Sequence, residues 1–177
     1  TNRVFEYNGK SQKPSAHFKT SANEEVLLDV KVYKLEKGEY VAVESAVGAG
    51  SYKAVAQVPS SGKYALSGLT ETFFTVSPKK IVRPVALAGT DYVYTGSECE
   101  FLLDGFDASI MSVTGNKQTE AGTYTVTVTI TDENYEFAVG DGSTGSLSYV
   151  FNIVNPENGG SSDGKPVVVE NGGLSTG

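Results

Sequence analysis

The chain has 177 residues, a formal net charge of −7 at pH 7 and a hydrophobic fraction of 39%. This length fits one large β domain or two small ones. The scattered acidic charge, with no basic stripe, argues against nucleic acid or an anionic membrane surface as a partner. No apolar run approaches the roughly 18 residues of a membrane helix, so we expect a chain that is not membrane-embedded. The single cysteine, Cys99, rules out an internal disulfide.

Apolar residues in the first part of the chain recur with a period of two, which predicts half-buried strands. One face carries Val26, Leu28, Val30 and Val32, and the other carries Leu27, Asp29, Lys31 and Tyr33. Gly38 follows in a charged turn, and Tyr40–Glu44 begins a return strand. We therefore predict a hairpin over about residues 26–44. The next segment, Ala46–Ala56, has helix-forming residues, but its glycines interrupt any helical stripe.

The clearest alternation lies later, in Thr123–Thr131. The inward row is Tyr124, Val126, Val128 and Ile130, and threonines occupy every position between them. β-branched residues suit both faces of a pleated strand. Near the end of the chain Tyr149, Phe151 and Ile153 alternate in the same way. No segment has the spacing of a helix, so we predict an all-β protein.

The chain also repeats itself, which indicates two related units. Phe5–Gly9 (FEYNG) resembles Tyr92–Gly96 (YVYTG), and Ala49–Tyr52 (AGSY) resembles Ala121–Tyr124 (AGTY). Further on, Phe74, Val76 and Pro78 match Phe151, Ile153 and Pro156. The two early motifs lie farther apart in the first unit, so that unit carries about one extra hairpin, most simply the 26–44 segment.

These landmarks predict repeat 1 over residues 1–80, repeat 2 over 81–156 and a Gly/Ser-rich linker over 157–177. Pro78 and Pro156 close the last strand of each repeat, because proline cannot donate to a strand ladder. Lys79–Gly89 is expected to open the second repeat as a strand. The junction has no flexible linker, and a short connection restricts rotation, so we expect a rod.

The segments DYVYTGSE, LDGFD, MSVTGNK, EAGTYTVTVTITDENYEF and SYVFNI resemble the bacterial Ig-like repeats called MBG or MBG-like domains. FEYNGKSQKP, GAGSYKAVAQV and FFTVSP resemble a longer variant, and the likeness covers most of residues 5–156. The resemblance implies tandem immunoglobulin-like β-sandwich domains, display on the bacterial surface or secretion, and a stalk or adhesive role. It implies no catalytic residues and no cofactor.

The other residues that could act in catalysis or in metal or phosphate binding are more simply explained by structural roles. The only histidine, His17, lacks the context of a catalytic triad and is expected to be an exposed strand residue. Cys99 is expected to face the core as a small hydrophobe. Five acids at positions 104, 107, 132, 133 and 141 are too sparse for a calcium loop and are read as solvated turn carboxylates. Gly140–Gly145 lacks the lysine of a phosphate loop and is read as a hairpin tip.

Ten tyrosines and no tryptophan raise the question of glycan binding. Four of them lie on the inward faces of predicted strands and are expected in the core: Tyr7, Tyr52, Tyr94 and Tyr124. Tyr33 and Tyr40, in the extra hairpin, are expected to be exposed and adjacent, and they are the candidate ligand contacts because exposed aromatics mark interfaces.

The sequence leaves two functions open for a monomer without a cofactor or metal. One is a non-catalytic spacer whose partners are neighbouring domains of the same chain. The other is an adhesin module that binds host or environmental glycan, mucin or matrix protein, since loops on rigid scaffolds often carry function. An enzyme is the least favoured reading, because no paired acids or triad can be identified.

Overall fold

A computed structural model describes residues 3–58, 70–140 and 142–156, and the predicted linker over 157–177 lies outside them. All regular structure in the described residues is β-strand, which confirms the all-β prediction. The strands are β1 Arg3–Glu6, β2 Ala16–Lys19, β3 Glu25–Leu28, β4 Val30–Glu36, β5 Glu39–Val43, β6 Gly50–Ala56, β7 Glu71–Ser77, β8 Lys79–Ile81, β9 Val85–Ala86, β10 Asp91–Val93, β11 Cys99–Glu100, β12 Leu103–Asp104, β13 Met111–Thr114, β14 Lys117–Gln118, β15 Gly122–Ile130, β16 Tyr135–Val139, β17 Gly142–Thr144 and β18 Ser146–Val154.

The chain divides into two compact units. Unit 1 comprises Thr1–Arg83, Asp107–Ser112 and Thr129–Ser146; unit 2 comprises Pro84–Phe106, Val113–Val128 and Leu147–Gly177. The boundaries proposed from the sequence, at residues 80 and 156, stay predictions.

Unit 1 contains a five-stranded sheet in the order β1-β7-β6-β4-β5. β4 and β5 pair antiparallel around the turn at Lys37 and Gly38, and both turn residues have positive φ. The same unit holds the β2–β3 hairpin and a sheet in the order β17-β16-β8. Its core cluster consists of Val32, Ala46, Tyr52, Ala54, Phe74 and Val76.

A four-stranded sheet in the order β10-β18-β15-β13 holds the core of unit 2. Two short pairs, β11–β14 and β9–β12, complete its regular structure among the described residues. The core cluster consists of Phe101, Val126, Phe151 and Ile153. In β15 the inward row of the predicted strand is buried or half-buried, and Thr123, Thr125 and Thr129 on the other face are exposed. The period of two therefore identified the buried face correctly.

The stretch Lys79–Gly89 departs from the expected single opening strand. It forms two short strands, with β8 parallel to β16 and β9 antiparallel to β12. The break falls at the buried Pro84, which has no N–H to donate to a ladder. The Pro84 carbonyl instead accepts a 2.6 Å hydrogen bond from the Tyr149 hydroxyl.

The two larger sheets, one in each unit, share a feature: the first strand of the sheet along the chain pairs parallel with its last strand. Phe5 of β1 lies opposite Val76 of β7, and Tyr92 of β10 lies opposite Ile153 of β18. One residue beyond each strand end, the Tyr7 N–H donates to Ser77 O at 2.8 Å and the Tyr94 N–H donates to Val154 O at 2.7 Å. The internal sequence repeat thus corresponds to a repeated strand pairing with identical register.

A tyrosine near the start of the penultimate long strand is also used identically in the two units. The Tyr52 hydroxyl donates to Gly48 O at 2.6 Å, and the Tyr124 hydroxyl donates to Glu120 O at 2.8 Å. Each bond reaches back four residues, so each tyrosine ties its strand to the loop before it. We call this arrangement the tyrosine corner.

Three aromatic rings pack together around each tyrosine corner. In unit 1, Tyr52 stacks on Phe74 at 5.2 Å and Phe5 meets Phe74 edge-on at 5.8 Å. Unit 2 repeats this trio with other residues: Phe151 has Tyr124 at 5.5 Å and Tyr92 edge-on at 5.6 Å. Such ring pairs contribute about 0.5–1.5 kcal/mol each beyond their burial.

The Tyr52 hydroxyl is expected to stabilise unit 1 at neutral pH and less at high pH. Tyr52→Phe removes the hydrogen bond to Gly48 O, so the free energy of unfolding measured in urea should fall by about 1 kcal/mol. Burial first, then the charges of Glu133 and Glu36, raise the pKa of Tyr52 above its ordinary value. When folding raises the pKa of a tyrosine, the resulting stabilisation is fully present below the pKa of the unfolded state, about 10. It is lost as the pH rises through the pKa of the folded state. The advantage of the native chain over Tyr52→Phe should therefore narrow above about pH 10; a constant difference would contradict this.

Gly115 should be far less tolerant of a side chain than Gly96, although both lie in unit 2 with φ +77°. A Cβ at Gly115 would collide with the backbone oxygen of Thr125, whereas a Cβ at Gly96 meets nothing within 4 Å. Gly96→Ala should cost only the left-handed strain of about 1–2 kcal/mol. Gly115→Ala should lower the free energy of unfolding in urea clearly more than Gly96→Ala does. Equal decreases for the two variants would show that the backbone contact is absent.

Candidate functional site

The outer face of the unit 1 sheet carries a row of side chains that cross-strand pairing brings together. Tyr33 of β4 lies opposite Lys53 of β6, and Lys53 lies opposite Phe73 of β7. The residues that alternate with them, among them Val32, Ala54 and Phe74, are buried in the core. Alternation along a strand therefore directs Tyr33, Lys53 and Phe73 to the opposite, outer face.

Tyr40 joins this row from the edge of the sheet. Two strands, β4 and β6, separate its strand from that of Phe73, which corresponds to a backbone separation of about 14 Å. The ring centroids of Tyr40 and Phe73 are nevertheless 5.7 Å apart, with the planes tilted by 48°. Both side chains must therefore extend toward each other along the sheet surface. We call Tyr33, Tyr40, Phe73 and Lys53 the outer aromatic layer.

A single ammonium group connects the two tyrosines of this layer. Lys53 Nζ lies 5.3 Å from the ring centroids of both Tyr33 and Tyr40, and Lys31 Nζ lies 5.7 Å from Tyr33. Lys53 also pairs with Glu71 at 3.8 Å. Each ammonium–ring contact contributes about 0.5–1 kcal/mol at an exposed site. Phe73 remains 47% exposed. The layer therefore presents aromatic surface next to hydrogen-bonding charged groups, a combination that can stack on a flat apolar ligand face.

The two residues predicted from sequence, Tyr33 and Tyr40, do belong to one cluster, although both are half-buried rather than fully exposed. Sequence reasoning missed Phe73 and Lys53. The signal for Phe73 was present: in Glu71–Ser77 the inward ring is Phe74, so its neighbour must point outward. Lys53 had no local signal, because its place between two rings depends on the register of three strands.

His17 and Cys99 behave as the sequence predicted. His17 is an exposed residue of β2, with Nε2 3.1 Å from Ser15 Oγ and Nδ1 3.9 Å from Glu25. Cys99 is half-buried and packs against the unit 2 core cluster.

Two of the five acidic residues considered for calcium, Asp107 and Asp132, accept hydrogen bonds in turns, whereas Glu133 pairs with Lys34 at 3.8 Å. Asp107 accepts hydrogen bonds from the Ser109 hydroxyl and N–H, and these lower the pKa of the Asp107 carboxyl. Asp132 accepts from the N–H and the side-chain amide of Asn134. Over the described residues, no group of three or more His, Cys, Asp or Glu is arranged to hold a metal ion; Asp141 lies outside them.

The glycine-rich stretch at 140–145 belongs to a β-hairpin, in which β16 pairs antiparallel with β17. Val139 lies opposite Gly142, so the tip is tight, and Gly140 has a φ of +55°. The predicted hairpin is present, but its tip is shorter than the expected Gly140–Gly145, because Gly142–Thr144 form β17 itself. Strands, rather than a strand and a helix, flank this turn.

Within the part of the chain that the structure describes, there is no helix long and apolar enough to cross a membrane. Comparisons of the chain with protein-family models, with curated proteins and with solved structures found no match.

Lys53 should stabilise unit 1 through its two ring contacts. Lys53→Met keeps the apolar stem and removes the ammonium, so we expect a loss of about 1 kcal/mol in urea unfolding. Lys31→Met is the matched control, because its ammonium contacts one ring at a longer distance, and it should cost about half as much or less. A larger loss for Lys31→Met, or none for Lys53→Met, would contradict this view of the layer.

Proposed function

We propose that this chain is a non-catalytic stalk or spacer segment of a bacterial cell-surface or secreted protein. It consists of two tandem immunoglobulin-like β-sandwich modules. The observation that carries the proposal is a repeated arrangement: the larger sheet of each unit has the same parallel pairing of its first and last strands, the same register and the same tyrosine corner. A duplicated module with its own core is the building principle of repeat proteins that extend a chain.

Two features support an immunoglobulin-like identity for the modules. Immunoglobulin sandwiches have a tyrosine near the start of the penultimate strand whose hydroxyl bonds to the backbone a few residues upstream. Tyr52 of β6 and Tyr124 of β15 make that bond, and β6 and β15 lie beside the last strand of their sheets. The resemblance of residues 5–156 to MBG-like repeats points the same way. Fold-level analogy carries the step from this architecture to a stalk at the cell surface.

An adhesin module is the second candidate, and the outer aromatic layer favours it. Partly exposed aromatic surface is typical of recognition sites. β5, which contributes Tyr40, is the edge strand of the five-stranded sheet, whereas the corresponding sheet of unit 2 has four strands. The layer is therefore specific to the first module, as a binding function on one repeat would require.

A binding array distinguishes the two candidates. The 177-residue chain is tested against glycans, mucins and matrix proteins, beside a Tyr33→Ala/Tyr40→Ala/Phe73→Ala variant. Val150→Ala is the matched control, because Val150 is 52% exposed and precedes Phe151 as Phe73 precedes Phe74. The stalk account predicts no binding by any of these proteins. Specific binding that the triple variant loses and Val150→Ala retains would overturn it in favour of the adhesin.

A further inference from the structure

Unit 1 contains a cleft between its five-stranded sheet and the β2–β3 hairpin. The cleft has a volume of about 420 Å³, which lies within the range of small-molecule sites. Its floor is the inner face of the sheet, where Ala54 lies opposite Thr72 and Val30 lies opposite Ala56. Three apolar residues of the hairpin line the other side: Ala16, Phe18 and Leu28. The cleft therefore lies beside the core cluster and has largely apolar walls.

Small side chains on β6 account for part of this space. When the AGSY motif is aligned with AGTY, Ala54 takes the position of Val126 in unit 2. Ala56 takes the position of Val128 in the same way. Both valines are fully buried, so their side chains fill the inner face of β15. The alanines of unit 1 leave the corresponding part of their sheet uncovered.

Thr72 adds to the space on the neighbouring strand. It lies two residues before Phe74, as Tyr149 lies two residues before Phe151. Tyr149 packs against the core cluster of unit 2. A threonine leaves open the volume that such a ring would occupy, so three aligned positions all have the smaller residue in unit 1.

The guanidinium of Arg3 supplies a positive charge at the cleft. Arg3 lies opposite Phe74 in the parallel β1–β7 pair, so alternation directs its side chain to the inner face of the sheet, where it lines the cleft. The Glu71 carboxylate is paired with Lys53 at 3.8 Å. Among the described residues, no carboxylate forms an ion pair with Arg3. Its charge is therefore available to an anionic ligand.

We infer that this cleft binds a small amphipathic carboxylate, whose apolar body lies on the alanine floor and whose carboxylate contacts Arg3. Apolar walls with a few polar groups that fix orientation are the usual form of a small-molecule site. A guanidinium can hold a carboxylate by two parallel hydrogen bonds, which favours the acid over a neutral analogue. The inference is independent of the stalk and adhesin proposals, because the cleft lies on the inner face of the sheet and the outer aromatic layer lies on the other.

Titration with hydrocinnamate, followed by heteronuclear NMR of the 177-residue chain, tests the cleft. This probe has one aromatic ring and one carboxylate. It should bind saturably, with a dissociation constant on the order of 1 mM or tighter, as is typical of a ligand of this size. The amide signals of Ala54, Ala56 and Thr72 should shift most. Absence of saturable binding, or shifts confined to residues outside the cleft, would overturn the inference.

Filling the cleft with the residues of unit 2 provides the matched comparison. Ala56→Val/Thr72→Tyr should weaken hydrocinnamate binding at least about tenfold, because the added side chains occupy the site. Ala42→Val/Thr125→Tyr makes the same replacements at exposed strand positions and should leave the affinity unchanged. Both variants are checked for native circular dichroism. Equal affinities of the two variants would contradict a site in the cleft.

Arg3→Gln tests the charge separately from the volume of the cleft. It should weaken hydrocinnamate binding at least about tenfold and leave binding of the neutral analogue, hydrocinnamyl alcohol, almost unchanged, because only the acid pairs with a guanidinium. Arg83→Gln is the matched control, since Arg83 is an exposed arginine of unit 1 that does not line the cleft. Equal losses for Arg3→Gln and Arg83→Gln, or equal losses for acid and alcohol, would show that Arg3 does not hold the carboxylate.

Discussion

The packing of a buried phenylalanine of the last strand against two other rings is the interaction on which each unit depends. Phe74 and Phe151 each contact two rings: one belongs to the first strand of the sheet, and the other is the tyrosine of the tyrosine corner. The corner in turn fixes the loop before the penultimate strand by a hydrogen bond to its backbone. Losing one of these rings would therefore loosen a strand pairing and a loop together, which is why the same trio appears in both units.

The repeated trio also explains which differences between the units are tolerated. Unit 1 has Phe5 where unit 2 has Tyr92, and the edge-on contact is kept. An additional edge strand, β5, extends the sheet of unit 1 on the side away from β1. The extra strand brings the outer aromatic layer with it and leaves the pairing of the first and last strands of the sheet unchanged. A sheet with such a core can therefore gain an edge strand and an outer layer of side chains while the register of its other strands stays the same.

Much of this architecture follows from local sequence pattern. A period of two identified the inward rows, and the AGSY and AGTY motifs identified Tyr52 and Tyr124 as equivalent residues. Strand order itself did not follow, because a parallel partner such as β7 for β1 lies some seventy residues away and is selected by tertiary packing. The bond from Ala49 N–H to Asn134 Oδ1, at 2.7 Å across 85 positions, had no local signal either.

The candidate site was predictable to the same degree. Tyr33 and Tyr40 were found because their own strands gave their direction, and Phe73 was within reach of the same argument. Lys53 was not, because its position between the rings arises from neighbouring strands. The break at Pro84 was missed for a related reason: an apolar run with a proline in it was read as one strand.

The central claim is that one buried phenylalanine in each unit, Phe74 or Phe151, packs against two other rings and thereby holds the core together. Urea unfolding of Phe74→Ala and Phe151→Ala tests this most directly. The account predicts that each substitution lowers the free energy of unfolding by about 3–5 kcal/mol, because each removes two ring contacts and leaves a cavity. A loss well below this range in either variant would contradict it.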